Sequence, residues 1–509
     1  MAESTGRIHH YRWMIPILLL ALALRIACLD AQSLWWDEAF SVTVSSMDLR
    51  TLMTTVLDDR VHPPLYYLVL HVWLPLARGE FVVRAPSAFL GVLAVASMFP
   101  MAALVGGKRL GLISAFALAI SPLHIWYSQE ARMYSLIVFL TLLANYFFGR
   151  LLRKDRPINW LGYSIFILLA MYTHYLTLFV ILAQGTYLIL LRPRNRVLLT
   201  KWLLSMLIAG TLVAPWLAAI FLTGGFYQAN ISWIRPAVPQ DLFWTLYDFG
   251  LGFSSNPANL FNVLAALSIA AILVYVTVRL FRGKIPVRQR NVLRFVWYWL
   301  SLPLILVFLI SLDWPLPQRR SIYMDRFLIP LLPAFLILVG YGITQVFDRK
   351  KTLGALVAVV LLALTGASTC SLFLDQTYRR DDWRQAITEI RENAQSGDVL
   401  LVRPHHYVPL YYYDLQEIPW LTVPYLESAQ AYDTFLDAEL SSSASEGGRL
   451  WTMIVCENAD LHRFAQGAQQ RLMRKVEEDE VRAWLLQNRH NVEERVYSGV
   501  HLSLYDTES

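Results

Sequence analysis

The chain has 509 residues, of which 56% are hydrophobic and only 16% charged, with 44 Lys and Arg against 38 Asp and Glu for a formal net charge of +6. A soluble domain carries about 25% charged residues, so the deficit excludes one water-soluble core and points to a bilayer as solvent. Three cysteines, Cys28, Cys370 and Cys456, exclude a disulfide framework, and no Cys-x-x-Cys spacing suggests a metal or redox pair.

The first apolar run, from Trp13 to about Leu29, follows Arg7 and Arg12 and has no A-x-A site after it. It reads as a retained first membrane helix behind a cytoplasmic tail, 1–12. A spanning helix needs about 20 mostly apolar residues. Eleven segments are expected to span, near 13–31, 84–105, 109–127, 131–149, 158–172, 174–191, 199–222, 258–280, 292–311, 327–347 and 352–374. One more apolar run, Pro64 to Ala77, is short and reads as interfacial, inside a first outer loop over 32–83.

Charge supports this order. With the N-terminus inside, the inner loops collect Lys108, Arg109, Arg150, Arg153, Lys154, Arg156, Arg279, Arg282, Arg349, Lys350 and Lys351 among others, and the outer loops hold far fewer basic residues. Were 64–77 to span, every later loop would change sides and the bias would invert. Acidic residues gather on the expected outer face, and they steer topology little. A working site there is one reason for them.

Beyond Leu374 charges become frequent and apolar runs short. Residues 381–393 read as an amphipathic helix with acidic residues at its start, and 399–403, 450–456 and 500–505 read as strands. The fold class expected is therefore mainly α: a polytopic helical membrane core over 13–374 and a small extracytoplasmic α/β domain over 375–509.

Five short segments share the expected outer face. Trp35-Trp36-Asp37-Glu38 offers two adjacent carboxylates just after the first span; it is either an ordinary loop start with belt tryptophans or a general base beside the membrane. His62-Pro63-Pro64 offers an imidazole, for a phosphate or metal, or merely a solvated loop histidine; its prolines resist helix. Glu130, Arg132 and Tyr134 lie in Ser128–Tyr134, between two spans. Ionisable groups at that depth are expensive and often functional, although snorkelling is the plain alternative. Thr173-His174-Tyr175 is a tight turn whose histidine has a structural hydrogen bond as its default role. Asp325-Arg326-Phe327 opens the tenth span just after Arg319 and Arg320; Arg326 is either an interface anchor or a phosphate clamp, for which its planar fork is suited. In the C-terminal region His405, His406 and Tyr411, Tyr412 and Tyr413 are either core and surface or a sugar-binding face. No Walker A run, no Gly-x-Gly-x-x-Gly between strand and helix and no His-Glu-x-x-His is present, and nothing suggests a nucleic-acid partner.

The ordered set WWDEAF, HPPLYY, RAPSAFLG, SPLHIWYSQEARMYSL, THY, Ala214-Pro215-Trp216 and DRFLIP resembles the bacterial GT-C glycosyltransferases, in particular the glycosyltransferase 39 group, similar to dolichyl-phosphate-mannose protein mannosyltransferases and to sugar transferases of lipopolysaccharide. It runs over about residues 13–375, and Asp382 to Val399 looks like the start of the group's C-terminal region. The resemblance implies a multi-pass protein of the cell membrane, a polyprenyl-phosphate-linked sugar as donor, an inverting transfer on the outer face and a glycolipid, polysaccharide or protein as acceptor. It implies Asp37 as catalytic base, Glu38 as its partner, Glu130 as a further acidic site residue, and His62 and Arg326 at the lipid phosphate. Arg132, Tyr134 and His174 join the expected binding set, and a divalent cation is left open. The sequence departs from the pattern at His62, where some relatives carry Lys, and at Glu130, in QEARMY rather than an Asp-containing motif. A transporter or flippase and a non-catalytic envelope assembly subunit are the rival classes. Transporters put charges near the bilayer midplane and often contain repeats; here only Arg25 lies clearly within a span and no repeat is visible.

Overall fold

The computed structural model describes residues 12–76, 79–190, 196–226, 231, 234–282, 285–313, 321–375, 378–403, 408–415, 418–423, 434–435, 449–455, 479–488, 490–498 and 500–506. Arg319, Arg320, His405, His406 and Cys456 lie outside them, as does the side chain of Tyr411. The chain divides into two compact units. The first comprises 1–27, 47–78 and 82–372, the second 28–46, 79–81 and 373–509.

The first unit is helical. Among the described residues, seven helices are long and apolar enough to cross a membrane: Glu80–Ile120, Tyr134–Leu151, Arg196–Leu222, Leu260–Phe281, Gln289–Ile310, Asp325–Arg349 and Lys351–Leu374. Four apolar helices are shorter, at Met14–Ile26, Leu65–Leu76, Pro157–Met171 and Thr177–Leu190. Glu80–Ile120 is two helices joined at Gly106 and Gly107. Gly107 has φ 78° and ψ −176°, a conformation open essentially to glycine alone, and this is where the sequence pattern separates two spans. All eleven expected segments coincide with helices once that joint is counted, and 64–77 is a helix as well. Burial sorts the long helices. The most apolar window of Asp325–Arg349 is 94% buried, against 28% for Leu260–Phe281 and 22% for Lys351–Leu374, so the first is the central helix and the other two face outward. Its entry is irregular, because Pro330 and Pro333 lack N–H groups and a 3-10 turn, Ile329–Leu331, bridges to Leu332–Arg349.

The expected first loop, 32–83, is mostly helix: Trp36–Ser46, Leu49–Asp59 and Leu65–Trp73. The second of these carries ordinary end signals. Asp48 caps it, accepting from the N–H groups of Arg50 and Thr51 at 3.0 and 3.2 Å, and Arg60 ends it at φ 58°. The prolines 63 and 64 sit between helices, not within one.

The second unit holds a five-stranded sheet of Val399–Arg403 (β1), Trp420–Thr422 (β2), Leu450–Val455 (β3), His490–Tyr497 (β4) and Val500–Asp506 (β5), in the order β2–β1–β3–β5–β4. β1 pairs in parallel with β2 and β3; β5 is antiparallel to β3 and β4. The two faces of β1 serve two cores. Leu400 and Val402 pack with Trp383, Ile387 and Ile390 of the helix Trp383–Asn393, while Val399 and Leu401 pack with Leu485 and Tyr505. That helix begins two residues later than expected because Asp382 is its cap, accepting from the Gln385 N–H at 3.2 Å.

Candidate functional site

In the first unit, four of the sequence segments meet. The rings of His62 and His174 are 5.2 Å apart, and each lies against Phe327, at 5.8 and 5.3 Å. The positive charges of Arg132 and Arg326 bear on both imidazoles. Glu130, Arg326, Tyr134 and Asp325 share the electrostatic surroundings of Tyr127, whose ring is 4.8 Å from that of Tyr134. His62, Glu130, Arg132, Tyr134, His174 and Arg326 are all buried.

The backbone explains why these segments meet. Ser87, in the RAPSAF stretch, accepts or donates at Tyr66 Oη over 2.8 Å and donates to the Arg132 carbonyl at 3.1 Å. One hydroxyl thus ties HPPLYY to QEARMY. The Leu65 N–H donates to the Tyr172 carbonyl at 3.0 Å, which ties HPPLYY to the turn before Thr177–Leu190. Within that turn His174 Nδ1 accepts from the Leu176 N–H at 3.1 Å. A neutral His174 therefore carries its proton on Nε2, and this Nε2 is buried with no hydrogen-bond partner among the described residues, as is His62 Nδ1. Burial first, then the nearby guanidinium groups, hold His62 well below the usual imidazole range and His174 down at about 3. Both rings are neutral at physiological pH. The positive charge of this cluster is supplied by arginine alone.

Asp325 is positioned by neighbours that the sequence pattern does not single out. It accepts from Thr245 Oγ1 at 2.7 Å, and the same hydroxyl meets Tyr323 Oη at 2.9 Å. Thr245 and Tyr323 carry no motif, and only the packing of Pro239–Gly250 against the central helix reveals them; Tyr127 lies within SPLHIWYSQEARMYSL but is not among the expected site residues.

Arg25, the one charge expected within a span, is fully buried. Its guanidinium donates to the carbonyls of Ala21 and Ala119 at 3.0 Å and of Leu118 at 3.1 Å, and contacts His124 Nδ1 at 2.7 Å. Leu118 and Ala119 end the helix Glu80–Ile120, whose last carbonyls have no partner within the helix. A cation suits that negative end of the dipole. Next to it, the Gln129 amide donates to the carbonyls of Leu24, Arg25 and Ala27, so the segment leading into Glu130 and Arg132 is anchored from both sides.

In the second unit, Asp37 and Glu38 lie in the first turn of Trp36–Ser46, where the helix dipole favours negative charge. The two diverge. Glu38 is fully buried and accepts from Arg380 Nη1 at 2.7 Å, whereas Asp37 is half-buried. Arg380 was not among the expected site residues. Among the described residues no group of three or more His, Cys, Asp or Glu side chains comes together in a way that could hold a metal ion.

Comparison with known proteins bears on this arrangement. Residues 61–218 match the family model described as dolichyl-phosphate-mannose-protein mannosyltransferase. Among solved structures, the chain is similar to ArnT from Cupriavidus metallidurans bound to undecaprenyl phosphate, at 14% identity and a TM-score of 0.62, with 97% of this chain and 98% of that one covered. It is also similar to archaeal oligosaccharyltransferase AglB from Archaeoglobus fulgidus in complex with an inhibitory peptide and a dolichol-phosphate, at 13% identity and a TM-score of 0.53, covering 99% of this chain and 74% of that one. The fold is that of a GT-C glycosyltransferase. Residues 61–218 are thus similar to that family and the fold to that of ArnT and AglB, in line with the resemblance carried by the ordered motifs. A comparison with curated proteins gave no match.

Proposed function

We propose that this GT-C protein transfers a sugar from a polyprenyl-phosphate donor to a hydroxyl or amine acceptor on the outer face of the cell membrane. The observation that supports this most is the buried cluster in the first unit. Arg132, Arg326 and the Nε2–H of His174 form a donor-rich cluster with Glu130 and Tyr134, and three segments far apart in sequence supply them. Such a set suits a phosphate, since guanidinium forks match its oxygens. Structures similar in fold were determined with undecaprenyl phosphate and with dolichol-phosphate.

Asp37 is the general base of this reading. Its carboxylate takes the acceptor proton, the acceptor oxygen or nitrogen bonds to the anomeric carbon, and the bond from that carbon to the phosphate oxygen breaks. The configuration inverts. Polyprenyl phosphate leaves with the electron pair, and arginine charge stabilises it. No general acid is needed, because the phosphate is a good leaving group. General base help contributes about 10²–10⁴-fold, and fixed positive charge at the leaving group acts on a similar scale. His62 acts as a neutral polar contact and not as a substitute for a lysine charge. The C-terminal region is proposed to help select the acceptor, although Tyr413 is already committed within its own unit, its hydroxyl accepting from the Leu34 N–H at 2.8 Å.

A transporter would need an intramembrane charge available to cargo. Arg25 is instead occupied by backbone carbonyls and His124, which favours the enzyme. The test is to incubate membranes holding the full chain, or its Asp37→Asn variant, with undecaprenyl-phosphate sugars and measure released undecaprenyl phosphate. Release by the unaltered chain and near-complete loss in the variant, at equal protein level, is the expected result. Full release by Asp37→Asn would overturn the assignment.

A further inference from the structure

The segment that carries Asp37 is stitched to the start of the C-terminal region by contacts that lie wholly within the second unit. Ser33 Oγ donates to the Asp381 carbonyl at 2.5 Å, and the Trp383 N–H donates back to Ser33 Oγ at 3.2 Å. The Arg380 N–H donates to the Gln32 side-chain oxygen at 3.1 Å. Arg384 donates to the carbonyls of Asp30 and Ala31 at 3.2 and 3.1 Å, and Leu34 is held by Tyr413. At the end of this series stands the only member in which both partners are charged and buried, Glu38 with Arg380, whose side chains are 0% and 6% exposed.

The two neighbouring carboxylates are thus treated differently. Glu38 lies in a buried ion pair, and Asp37 is half-buried. In a helix the next residue turns about 100° around the axis, so fixing the Glu38 side chain fixes the direction in which Asp37 points. Holding a reacting group to a fraction of an ångström is worth a large rate factor, since a misplacement of about 1 Å costs on the order of 10²-fold. An exposed pair would not achieve this, because it is mobile and screened. A buried pair has one geometry.

We propose that Arg380 is a positioning residue for the reaction: by holding the buried Glu38 carboxylate it sets the first turn of Trp36–Ser46 and so aims the Asp37 carboxylate. The C-terminal region is on this reading part of the catalytic apparatus, and cutting the chain at residue 380 removes the clamp together with the domain. The inference rests on Asp37 being the base.

The experiment uses the full chain in native membranes, with undecaprenyl-phosphate sugar as the varied substrate and released undecaprenyl phosphate as the readout. Asp37→Asn is the reference and must be inactive; if it is active, the general-base reading has failed and the clamp is not at issue. With that established, Arg380→Gln is expected to lower kcat by about 10²-fold while KM for the lipid donor stays within about twofold. Arg380→Lys, which keeps a charge on Glu38, is expected to recover most of the loss, and Glu38→Gln/Arg380→Gln is expected to be no slower than Arg380→Gln alone. A kcat equal to the parent in Arg380→Gln overturns the proposal, as does an equal change in kcat and KM that Arg380→Lys does not rescue. Should Arg380→Gln fail to accumulate, Glu38→Ala/Arg380→Ala, which removes the clamp and leaves neither charge unpaired, replaces it; a parental kcat there likewise overturns the proposal.

Discussion

Replacing Arg25 by Met removes a guanidinium that serves four acceptors at once. The carbonyls of Leu118 and Ala119 then lose their donor at the end of a membrane helix, where no water can replace it. An orphaned buried acceptor costs about 1–3 kcal/mol, and the lost cation at the helix end adds about 0.3–2 kcal/mol. Against this stands the relief of no longer burying a charge, which amounts to several kcal/mol. The acceptors are all preformed and both terminal nitrogens of the guanidinium are hydrogen-bonded, Nε alone having no partner among the described residues, so the loss is expected to prevail, with a net destabilisation of about 2–4 kcal/mol built from these terms. Arg25→Lys keeps the charge but not the fork, and should fall between. The assay is a thermal melt of the purified full chain, followed by intrinsic fluorescence and by loss of the monodisperse peak. Turnover should fall with stability, because Gln129 and the Glu130–Arg132 segment hang from the same brace. A Met variant that melts with the parent chain would refute the reasoning, for it would mean that the desolvation of the charge cancels everything its hydrogen bonds contribute.

Other outcomes follow from the cluster around Arg326. Arg326→Gln should raise the Kd for undecaprenyl phosphate about tenfold or more, the scale of one charge-assisted hydrogen bond at about 1.5–3 kcal/mol, and Arg326→Lys should recover only part of it; equal binding by all three proteins would remove Arg326 from the phosphate site. The two depressed histidines make a statement about pH. Both are neutral when folded, with His174 at about 3, and both bind protons near the ordinary value of about 6.5 when unfolded. Between those values the unfolded chain holds more protons, so stability is complete above about pH 6.5 and is lost as pH falls towards 3. Melting temperatures measured across pH 4–8 should decline on the acid side, less so in His62→Gln/His174→Gln; an identical slope in that variant would show that other groups set the acid limb.

The membrane helices were legible in the sequence because a bilayer enforces a simple rule: a segment must satisfy its own backbone and be apolar over a fixed length. The central strands were legible for a related reason, since β1 and β3 are buried on both faces and read as mostly apolar runs, interrupted only by Thr452 in β3 and ended by Arg403 in β1. β4 was not, because it is an edge strand whose Glu493, Glu494 and Arg495 break any apolar pattern. Two helices of the expected first outer loop, Trp36–Ser46 and Leu49–Asp59, were hidden by mixed composition, even though Asp48 announces one of them, whereas 64–77 was read as interfacial from its short apolar run. Residue types picked out segments that the fold brings together, since ionisable groups and tight turns beside spans are costly and therefore informative. What the sequence could not decide was partnership. Ser87 joining Tyr66 to Arg132, Arg25 closing the end of another helix, and Arg380 reaching Glu38 across 342 residues are contacts between positions with no periodic or local relation. Local chemistry determines which elements form and which residues are unusual; only the packing of those elements determines that Glu38 lies in a buried ion pair while its neighbour Asp37 is half-buried.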